Sequence, residues 1–336
     1  MRIVKAAAFI LAALIALLVV SFGVVWVFNP FAQPVEVTHP EPEGRRIETG
    51  NLIGNFYPVE GTTSAPAILL LGGSEGGIGA GATKMALALQ KEDYAVLTMS
   101  YFGGPEQPKK LEHISLELFD EALNWLEMQP NIDVDRLGIM GISKGAEAAL
   151  IIAAKHPELR AAIAGMPSSV AWQGIDHNLL KQIMAPPGGS WSYGNEPIPY
   201  LPYVQEYVNN PLDLYVKSLA KLSDHSDAII HVEKIGAAVL LICGEADALW
   251  PSCDMARQIE SRAKDRQGPD VKVLAFETAG HAGFGLPFET DHPNFDRLAS
   301  IGGTVEGNNQ ARREGWAAIL DHLNTALKTP STKTSP

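Results

Sequence analysis

Residues 137–145 read Leu-Gly-Ile-Met-Gly-Ile-Ser-Lys-Gly, a short apolar run that leads into a glycine-bounded turn. The run is typical of a buried strand, and the alanine-rich residues 144–155 that follow are typical of a helix. The turn matches Gly-x-Ser-x-Gly, and a sharp strand-to-helix turn of this kind strains its central residue and exposes that side chain. Only glycine fits at the two outer positions, where a Cβ atom would collide with neighbouring backbone. The motif therefore predicts a nucleophile at Ser143, whereas the simpler interpretation is a serine that caps an ordinary helix.

Strand and helix patterns alternate on both sides of this turn. Continuous apolar runs, as expected of strands buried on both faces, occur at residues 67–71, 95–99, 161–164, 238–243 and 271–276. Helical patterns occur at residues 82–90, 111–128 and 310–327, and residues 46–57 fit a hairpin. Such alternation requires crossover connections between parallel strands. We therefore predict an α/β fold with a doubly wound, mostly parallel sheet that has helices on both faces.

One long segment, residues 166–232, interrupts the alternation. It contains no clear sheet strand, but it is rich in proline, tryptophan and tyrosine. Insertions of this length inside a compact domain are commonly lids or caps over a functional site. We predict a substrate cap in which Trp172 and Trp191 form apolar walls, and the alternative is a helical excursion with no part in binding.

A serine hydroxyl needs a base before it is a useful nucleophile. With this turn in a doubly wound sheet, the expected chain order is serine, then acid, then histidine. The loop after the strand at 238–243 contains Glu245 and Asp247, and Asp247 is the predicted acid because Glu245 lies closer to the strand end. The loop after the strand at 271–276 leads to His281, the predicted base. Asp247 is expected to hold the tautomer of this imidazole and to stabilise its charged form.

An acyl-transfer site also needs two N–H donors for the developing oxyanion. One is expected at Lys144, directly after the nucleophile, and the other at Ser74 or Gly73 in the glycine-rich loop after the strand at 67–71. That loop does not fit a phosphate loop, because no Gly-Lys-Ser/Thr follows it. The side chains of Lys144 and Lys181 are candidates for contact with a substrate phosphate, although solvated surface is the simpler interpretation.

The N-terminus carries a membrane signal. Arg2 and Lys5 precede an uncharged apolar run over residues 6–28. As a helix this run is about 34 Å long at about 1.5 Å per residue, enough for a hydrocarbon core of about 30 Å. We predict an uncleaved anchor over residues 1–30 with the body on the non-cytoplasmic side, because positive charge precedes the span. The alternative is a cleaved signal peptide.

The remaining boundaries follow from composition. Residues 31–45 fit a proline-rich linker, 46–328 the catalytic domain and 329–336 a disordered tail. The net charge of −12 makes nucleic acid a poor partner. Cys243 and Cys253 lack metal-site spacing, so two thiols are expected, with one bridge between them as the alternative. Neither a metal nor a cofactor is expected.

Several segments resemble a known family, namely residues 101–103, 111–126, 136–147, 160–168 and 277–281. The Ser-Lys-Gly-x-Glu form of the turn, which ends at Glu147, is the most specific of these. Together they resemble the C-terminal catalytic domain of the acyl-CoA thioesterase and bile acid-CoA:amino acid N-acyltransferase family. The resemblance implies an α/β-hydrolase fold and hydrolysis of acyl-CoA thioesters, with Ser143 as nucleophile, Asp247 as acid and His281 as base.

The chain departs from the pattern of that family in three ways. Family members often have two acids where this chain has Ala246 and Asp247, and the acyltransferase branch has cysteine in place of Ser143. The anchor places the domain away from cytoplasmic acyl-CoA, so another ester or thioester is an alternative substrate. We expect a serine hydrolase acting on a small-molecule acyl thioester or ester. The alternatives are a carboxylesterase, a serine peptidase, an acyl-CoA:amine N-acyltransferase, and a tethered binding protein with an inactive site.

Overall fold

An eight-stranded sheet runs through the computed structural model, which describes residues 2–30, 32 and 34–328 of the chain. The strands in chain order are β1 (Arg45–Thr49), β2 (Leu52–Tyr57), β3 (Ala65–Leu71), β4 (Ala95–Ser100), β5 (Ile114–Ser115), β6 (Ile132–Ile142), β7 (Ala161–Gly165), β8 (Trp191–Tyr193), β9 (Glu196–Pro197), β10 (Ala238–Gly244) and β11 (Val271–Phe276). The large sheet has the order β1-β2-β4-β3-β6-β7-β10-β11, and β5, β8 and β9 form a separate small sheet. Only β1 with β2 and β2 with β4 pair antiparallel in the large sheet, so the prediction of a mostly parallel sheet is confirmed.

Helices cover both faces of this sheet, as the alternating pattern predicts. The helices of the described chain are α1 (Arg2–Phe28), α2 (Ala80–Lys91), α3 (Glu117–Glu127), α4 (Lys144–Lys155), α5 (Leu179–Met184), α6 (Pro211–Leu219), α7 (Ser252–Asp265) and α8 (Val305–Leu323). Those that pack on the sheet are α2, α3, α4, α7 and α8. The residues of β3 alternate between two cores: Leu69 and Leu71 pack with α3, α4 and α7, whereas Ile68 and Leu70 pack with α2 and α8. A strand buried on both faces in this way must be apolar throughout.

The helix predicted over residues 111–128 begins only at Glu117. Leu111 exchanges backbone hydrogen bonds with Ile175 at 3.0 and 2.9 Å, and Ile114 pairs with Trp191 in the small sheet. Leu111 and Ile114 fit the apolar period of α3, but their backbone is extended because it pairs with the insertion. The predicted tail at 329–336 lies outside the described residues.

The insertion at 166–232 contains no strand of the large sheet, as predicted. It contains α5, β8, β9, α6 and a 3-10 helix at Leu222–Ala228. Three of its aromatic side chains join a separate buried cluster, in which Trp172 packs against Tyr203 and Tyr215, and Tyr215 packs against Trp250 of the loop after β10. The insertion and that loop therefore share a small core of their own.

The two cysteines form a disulfide bond, so the expectation of two thiols is wrong. Cys243 lies near the end of β10 and Cys253 in the first turn of α7, with their Cα atoms 5.1 Å apart. This separation suits a disulfide, and it arises because α7 packs back on β10. The bond closes the loop that carries Asp247.

The N-terminal helix α1 has the apolar length that the sequence indicates. Within Lys5–Phe28, an 18-residue window has a mean hydropathy of 2.9, and no residue of that window is buried against the described part of the chain. By length and composition the helix is able to cross a membrane, and a signal sequence has the same properties.

Candidate active site

Ser143 sits in the strained turn that the motif predicts. It lies between β6 and α4 with a φ of 55°, in the left-handed region that side chains rarely adopt. Its backbone N–H donates to the carbonyl of Gly165 at 2.9 Å, and its own carbonyl accepts from Glu147 at 3.0 Å. A Cβ atom on Gly141 would lie 2.1 Å from the carbonyl oxygen of Gly145, so the turn closes only with glycine at this position.

The structure brings Ser143, His281 and Asp247 together in one chain of hydrogen bonds. The Nε2 atom of His281 lies 3.0 Å from Oγ of Ser143, and Nδ1 lies 2.9 Å from Oδ2 of Asp247. The three residues come from the loops after β6, β11 and β10, which all end at the carboxyl edge of the sheet. They are buried, and Ser143 retains 8 % of its surface in contact with solvent. Such an arrangement is able to move a proton from the serine to the imidazole.

Two backbone N–H groups orient the Asp247 carboxylate towards the His281 imidazole. Its Oδ1 atom accepts from the N–H groups of Leu249 at 2.9 Å and Trp250 at 3.3 Å, which leaves Oδ2 for His281. The alternative acid, Glu245, instead pairs with Arg257 on the surface. Between these two carboxylates, only Asp247 contacts the imidazole.

The loop that carries His281 is held by side chains from α8. The amide of Asn308 accepts from the Gly280 N–H at 2.9 Å, and the Arg312 guanidinium donates to the carbonyl of Ala282 at 2.7 Å. Burial lowers the pKa of Arg312 to about 10, which leaves it charged at neutral pH. The Trp250 ring packs edge-on against the imidazole with centroids 5.6 Å apart. These contacts restrict the imidazole to the orientation that reaches Ser143.

The loop after β3 lies beside the nucleophile, as expected for an oxyanion site. A Cβ atom on Gly73 would be 3.3 Å from Cβ of Ser143. The N–H of Gly73, however, donates to the carboxylate of Glu75 at 3.0 Å, which leaves the N–H of Ser74 as the other predicted donor. The Tyr101 hydroxyl donates to the carbonyls of Gly72 and Gly73 and holds the loop down. Lys144 starts α4, where backbone N–H groups have no intrahelical partner.

The side chain of Lys144 is buried, so the interpretation of a phosphate contact or solvated surface is wrong for this residue. Its ammonium donates to Oε2 of Glu147 at 2.6 Å, and both side chains are at most 1 % exposed. The other oxygen of Glu147 accepts from the Trp172 backbone at 2.9 Å and the Trp191 indole at 2.7 Å. Burial raises the pKa of Glu147 and lowers the pKa of Lys144, and the ion pair opposes both shifts. The Ser-Lys-Gly-x-Glu pattern was the only sequence signal for this cluster.

The prediction that Trp172 and Trp191 line the substrate site is also wrong. Trp172 and Trp191 are both completely buried, so neither ring has a surface for substrate. The indole of Trp172 donates to Ser168 at 2.8 Å, and the Trp191 ring packs on Tyr101 and Phe119. The hydrogen bonds of these two residues to Glu147 connect the insertion to α4. In the described part of the chain, no group of three or more His, Cys, Asp or Glu residues could hold a metal ion.

Solved structures with the same architecture define the fold class. The putative dienelactone hydrolase of Klebsiella pneumoniae superposes with a TM-score of 0.52 at 14 % identity and covers 83 % of this chain and 96 % of that one. The acylaminoacyl peptidase of Pyrococcus horikoshii has a TM-score of 0.56 at 15 % identity and covers 89 % of this chain and 44 % of that one. The fold is therefore that of the α/β-hydrolases.

Residues 114–329, more than half of the chain, match the family described as BAAT / Acyl-CoA thioester hydrolase C terminal, and the chain belongs to this family. Mouse acyl-coenzyme A thioesterase 1 is 24 % identical over 268 residues, 77 % of this chain and 60 % of that protein. Mouse acyl-coenzyme A amino acid N-acyltransferase 1 is 26 % identical over 301 residues, 83 % of this chain and 64 % of that protein. The chain spans less than two thirds of the length of these two relatives. The resemblance stated from the sequence is confirmed.

Proposed function

We propose that the protein is a serine hydrolase that cleaves an acyl thioester or ester through an acyl-enzyme on Ser143. The observation that carries this proposal is the continuous chain of hydrogen bonds from Ser143 through His281 to Asp247, 3.0 and 2.9 Å long. Family membership supports the same chemistry, because both the thioesterase and the N-acyltransferase relatives are named for acyl-coenzyme A substrates. The serine nucleophile favours water over an amine as the acceptor.

The reaction follows from the positions of these groups. Oγ of Ser143 attacks the acyl carbon while Nε2 of His281 takes its proton, and the N–H groups of Lys144 and Ser74 stabilise the oxyanion. The intermediate then collapses, the bond to the thiol or alcohol breaks, and the leaving group takes the proton from His281. A water molecule next attacks the acyl-enzyme with His281 as base, which releases the acid and restores Ser143.

We also propose that residues 6–28 anchor the protein in a membrane, with the catalytic domain on the non-cytoplasmic side. The apolar length of α1 and the preceding Arg2 and Lys5 support this orientation. The Cys243–Cys253 disulfide supports it independently, because disulfides persist mainly in oxidising compartments. Acyl-CoA is a cytoplasmic metabolite, so this orientation favours a second candidate function, a carboxylesterase acting on an ester available outside the cytoplasm.

Labelling with a fluorophosphonate probe tests the nucleophile. We expect the full chain to be labelled once, Ser143→Ala to lose both labelling and turnover, and Ser223→Ala, a change at an exposed serine, to keep both. A panel of acyl-CoAs and p-nitrophenyl esters of matched acyl length then separates thioesterase from carboxylesterase. Labelling that persists in Ser143→Ala contradicts the proposal, and cleavage of peptides but not esters identifies a peptidase instead.

A further inference from the structure

One buried side chain joins the anchor helix to the insertion. The amide nitrogen of Asn178 donates to the carbonyl of Val25 at 2.7 Å and of Trp26 at 3.3 Å, which are in the last turn of α1. The amide oxygen of Asn178 accepts from the first N–H groups of α5. The Trp26 carbonyl is one of the last four of α1, which lack intrahelical donors, whereas Val25 also accepts from the Asn29 N–H at 3.1 Å. The Asn178 side chain therefore contacts the C-terminal end of α1 and caps the N-terminus of α5. The helix α5 is therefore fixed at the end of the apolar span.

The helix α5 presents an apolar face to solvent at this place. Leu179, Ile183 and Met184, here called the α5 patch, are 71, 63 and 61 % exposed. Leu179 and Ile183 are four residues apart and lie on one side of the helix, and Met184 follows Ile183 as its last residue. No acidic residue occurs between residues 177 and 190, and the Lys181 ammonium lies 6.0 Å from the Trp26 ring. Apolar residues beside a tryptophan and a lysine are typical of the boundary between lipid and water.

The same end of the anchor lies over the carboxyl edge of the sheet. After α1 the chain runs to Val37, which bridges to Ile78 in the loop after β3 that also carries Gly73 and Ser74. The imidazole of His177 stacks on Phe102, in the loop after β4, with centroids 6.2 Å apart. Both contacts are with loops of the edge at which Ser143 lies.

We propose that the α5 patch lies in the interface of the bilayer that holds α1, so that the active-site edge faces the membrane and substrate arrives from the lipid. The substrate class is then an amphiphilic ester or thioester with a long acyl chain. This inference rests on the proposed anchor and deepens the proposed hydrolase. The bilayer is the partner of the α5 patch because Asn178 bonds the start of α5 to the last turn of α1. That turn is at the end of the apolar span, where the hydrocarbon core ends.

Depth-dependent quenching tests the placement of the patch. The two native cysteines are paired, so one introduced cysteine is the only free thiol for a bimane label. The full chain is reconstituted in phosphatidylcholine vesicles that contain lipid with a doxyl group at carbon 5. Met184→Cys is compared with Met128→Cys, which is 72 % exposed and follows α3 at the opposite edge of the sheet. Val19→Cys, within the span, reports insertion of the anchor.

We expect bimane at 184 to lose at least half of its fluorescence, close to the loss at 19, and bimane at 128 to lose almost none. Quenching at 19 without quenching at 184 means that water or another protein copy covers the patch, and it overturns the inference. The absence of quenching at 19 overturns the anchor and the inference together. Since quenching needs no turnover, these outcomes are independent of whether Ser143 is the nucleophile.

A second measurement tests the route of the substrate. The variant Leu179→Ser/Ile183→Ser/Met184→Ser keeps the polar contacts of α5 but removes its apolar face. We expect kcat/KM for water-soluble p-nitrophenyl acetate to stay within twofold, which also shows that the fold is intact. For a long-chain acyl ester dissolved in the vesicles, we expect a fall of about tenfold, because the patch no longer holds the edge at the lipid. An equal effect on both substrates contradicts delivery from the membrane.

Discussion

Two sets of polar side chains pack around the first turn of α4, and they differ in whether any bonding capacity is left for a substrate. In the first set, the Ser143 hydroxyl bonds to no described side chain other than His281, and Ser143 keeps a small exposed surface. In the second, the carboxylate of Glu147 accepts three hydrogen bonds and both it and Lys144 are sealed from solvent. In the proposed mechanism, the neighbouring residues 143 and 144 therefore have opposite roles. Ser143 supplies its side chain to the reaction, whereas Lys144 supplies its backbone N–H and its side chain is buried in an ion pair.

The largest expected effect is a loss of activity when the first set, which contains Ser143 and His281, is disturbed. Asp247→Asn should lower kcat by about four orders of magnitude, because the amide favours the wrong tautomer of His281. The free energy of unfolding should change much less, since the shape of the side chain is kept. Steady-state hydrolysis and urea denaturation measure the two effects. Glu245→Gln is the control, and we expect it to leave kcat within a few-fold; a larger loss in the control than in Asp247→Asn would reassign the acid.

Substitutions in the second set, Lys144 and Glu147, should instead lower the free energy of unfolding. Glu147→Gln keeps an acceptor for Trp172 and Trp191 but leaves the Lys144 ammonium buried without a counter-charge, which should cost about 3–5 kcal/mol of unfolding free energy. Lys144→Met/Glu147→Gln should recover most of this loss, because no buried charge remains. Urea titrations of the three proteins measure both changes. If the double variant is no more stable than the single one, the ion pair does not account for the loss.

A smaller effect is expected at a pair near the surface. Arg262 binds both oxygens of Glu233 at 2.7 Å, and these hydrogen bonds lower the pKa of the carboxyl to about 2. An unfolded glutamate has a pKa of about 4.3, so the stabilisation is fully present above that value and is lost as the pH falls towards 2. Glu233→Gln should therefore cost about 1 kcal/mol at pH 7 and much less at pH 2.

Chemical denaturation at several pH values measures this difference, with Glu260→Gln, an exposed residue on the same helix as Arg262, as the matched control. We expect the control to show no such pH dependence. A cost at Glu233 that is the same at pH 2 and pH 7 would mean that packing, not charge, holds the contact.

The sequence was most informative where the physical requirement is local. The Ser143 turn needs glycine on both sides within five residues, and the strands buried on both faces need continuous apolar runs. The turn and the positions of these strands along the chain could therefore be predicted. The chain order of acid and histidine followed from that sheet. The disulfide could not be predicted from the sequence, because a separation of ten residues does not determine whether α7 packs back on β10.

The aromatic side chains of the insertion show the limit of such reasoning. Trp172 and Trp191 were expected to line the substrate site, but an apolar ring suits a pocket wall and a small core equally well. Only tertiary packing distinguishes the two, and here both rings are buried, while the Trp172 backbone N–H and the Trp191 indole donate to Glu147. Similarly, Leu111 and Ile114 matched the period of α3 although their partners lie in the insertion. Whether a side chain is buried, and against what, depends on residues that are distant in the sequence.

Pre-steady-state kinetics detect the proposed acyl-enzyme on Ser143. Mixing the full chain with excess p-nitrophenyl ester should release a burst of p-nitrophenolate close to one equivalent per protein, with the acyl group recovered on the peptide that contains Ser143. Ser143→Ala should show neither the burst nor the adduct, while Ser223→Ala should show both. A burst of the same size in Ser143→Ala, or an adduct on any other residue, would contradict the account.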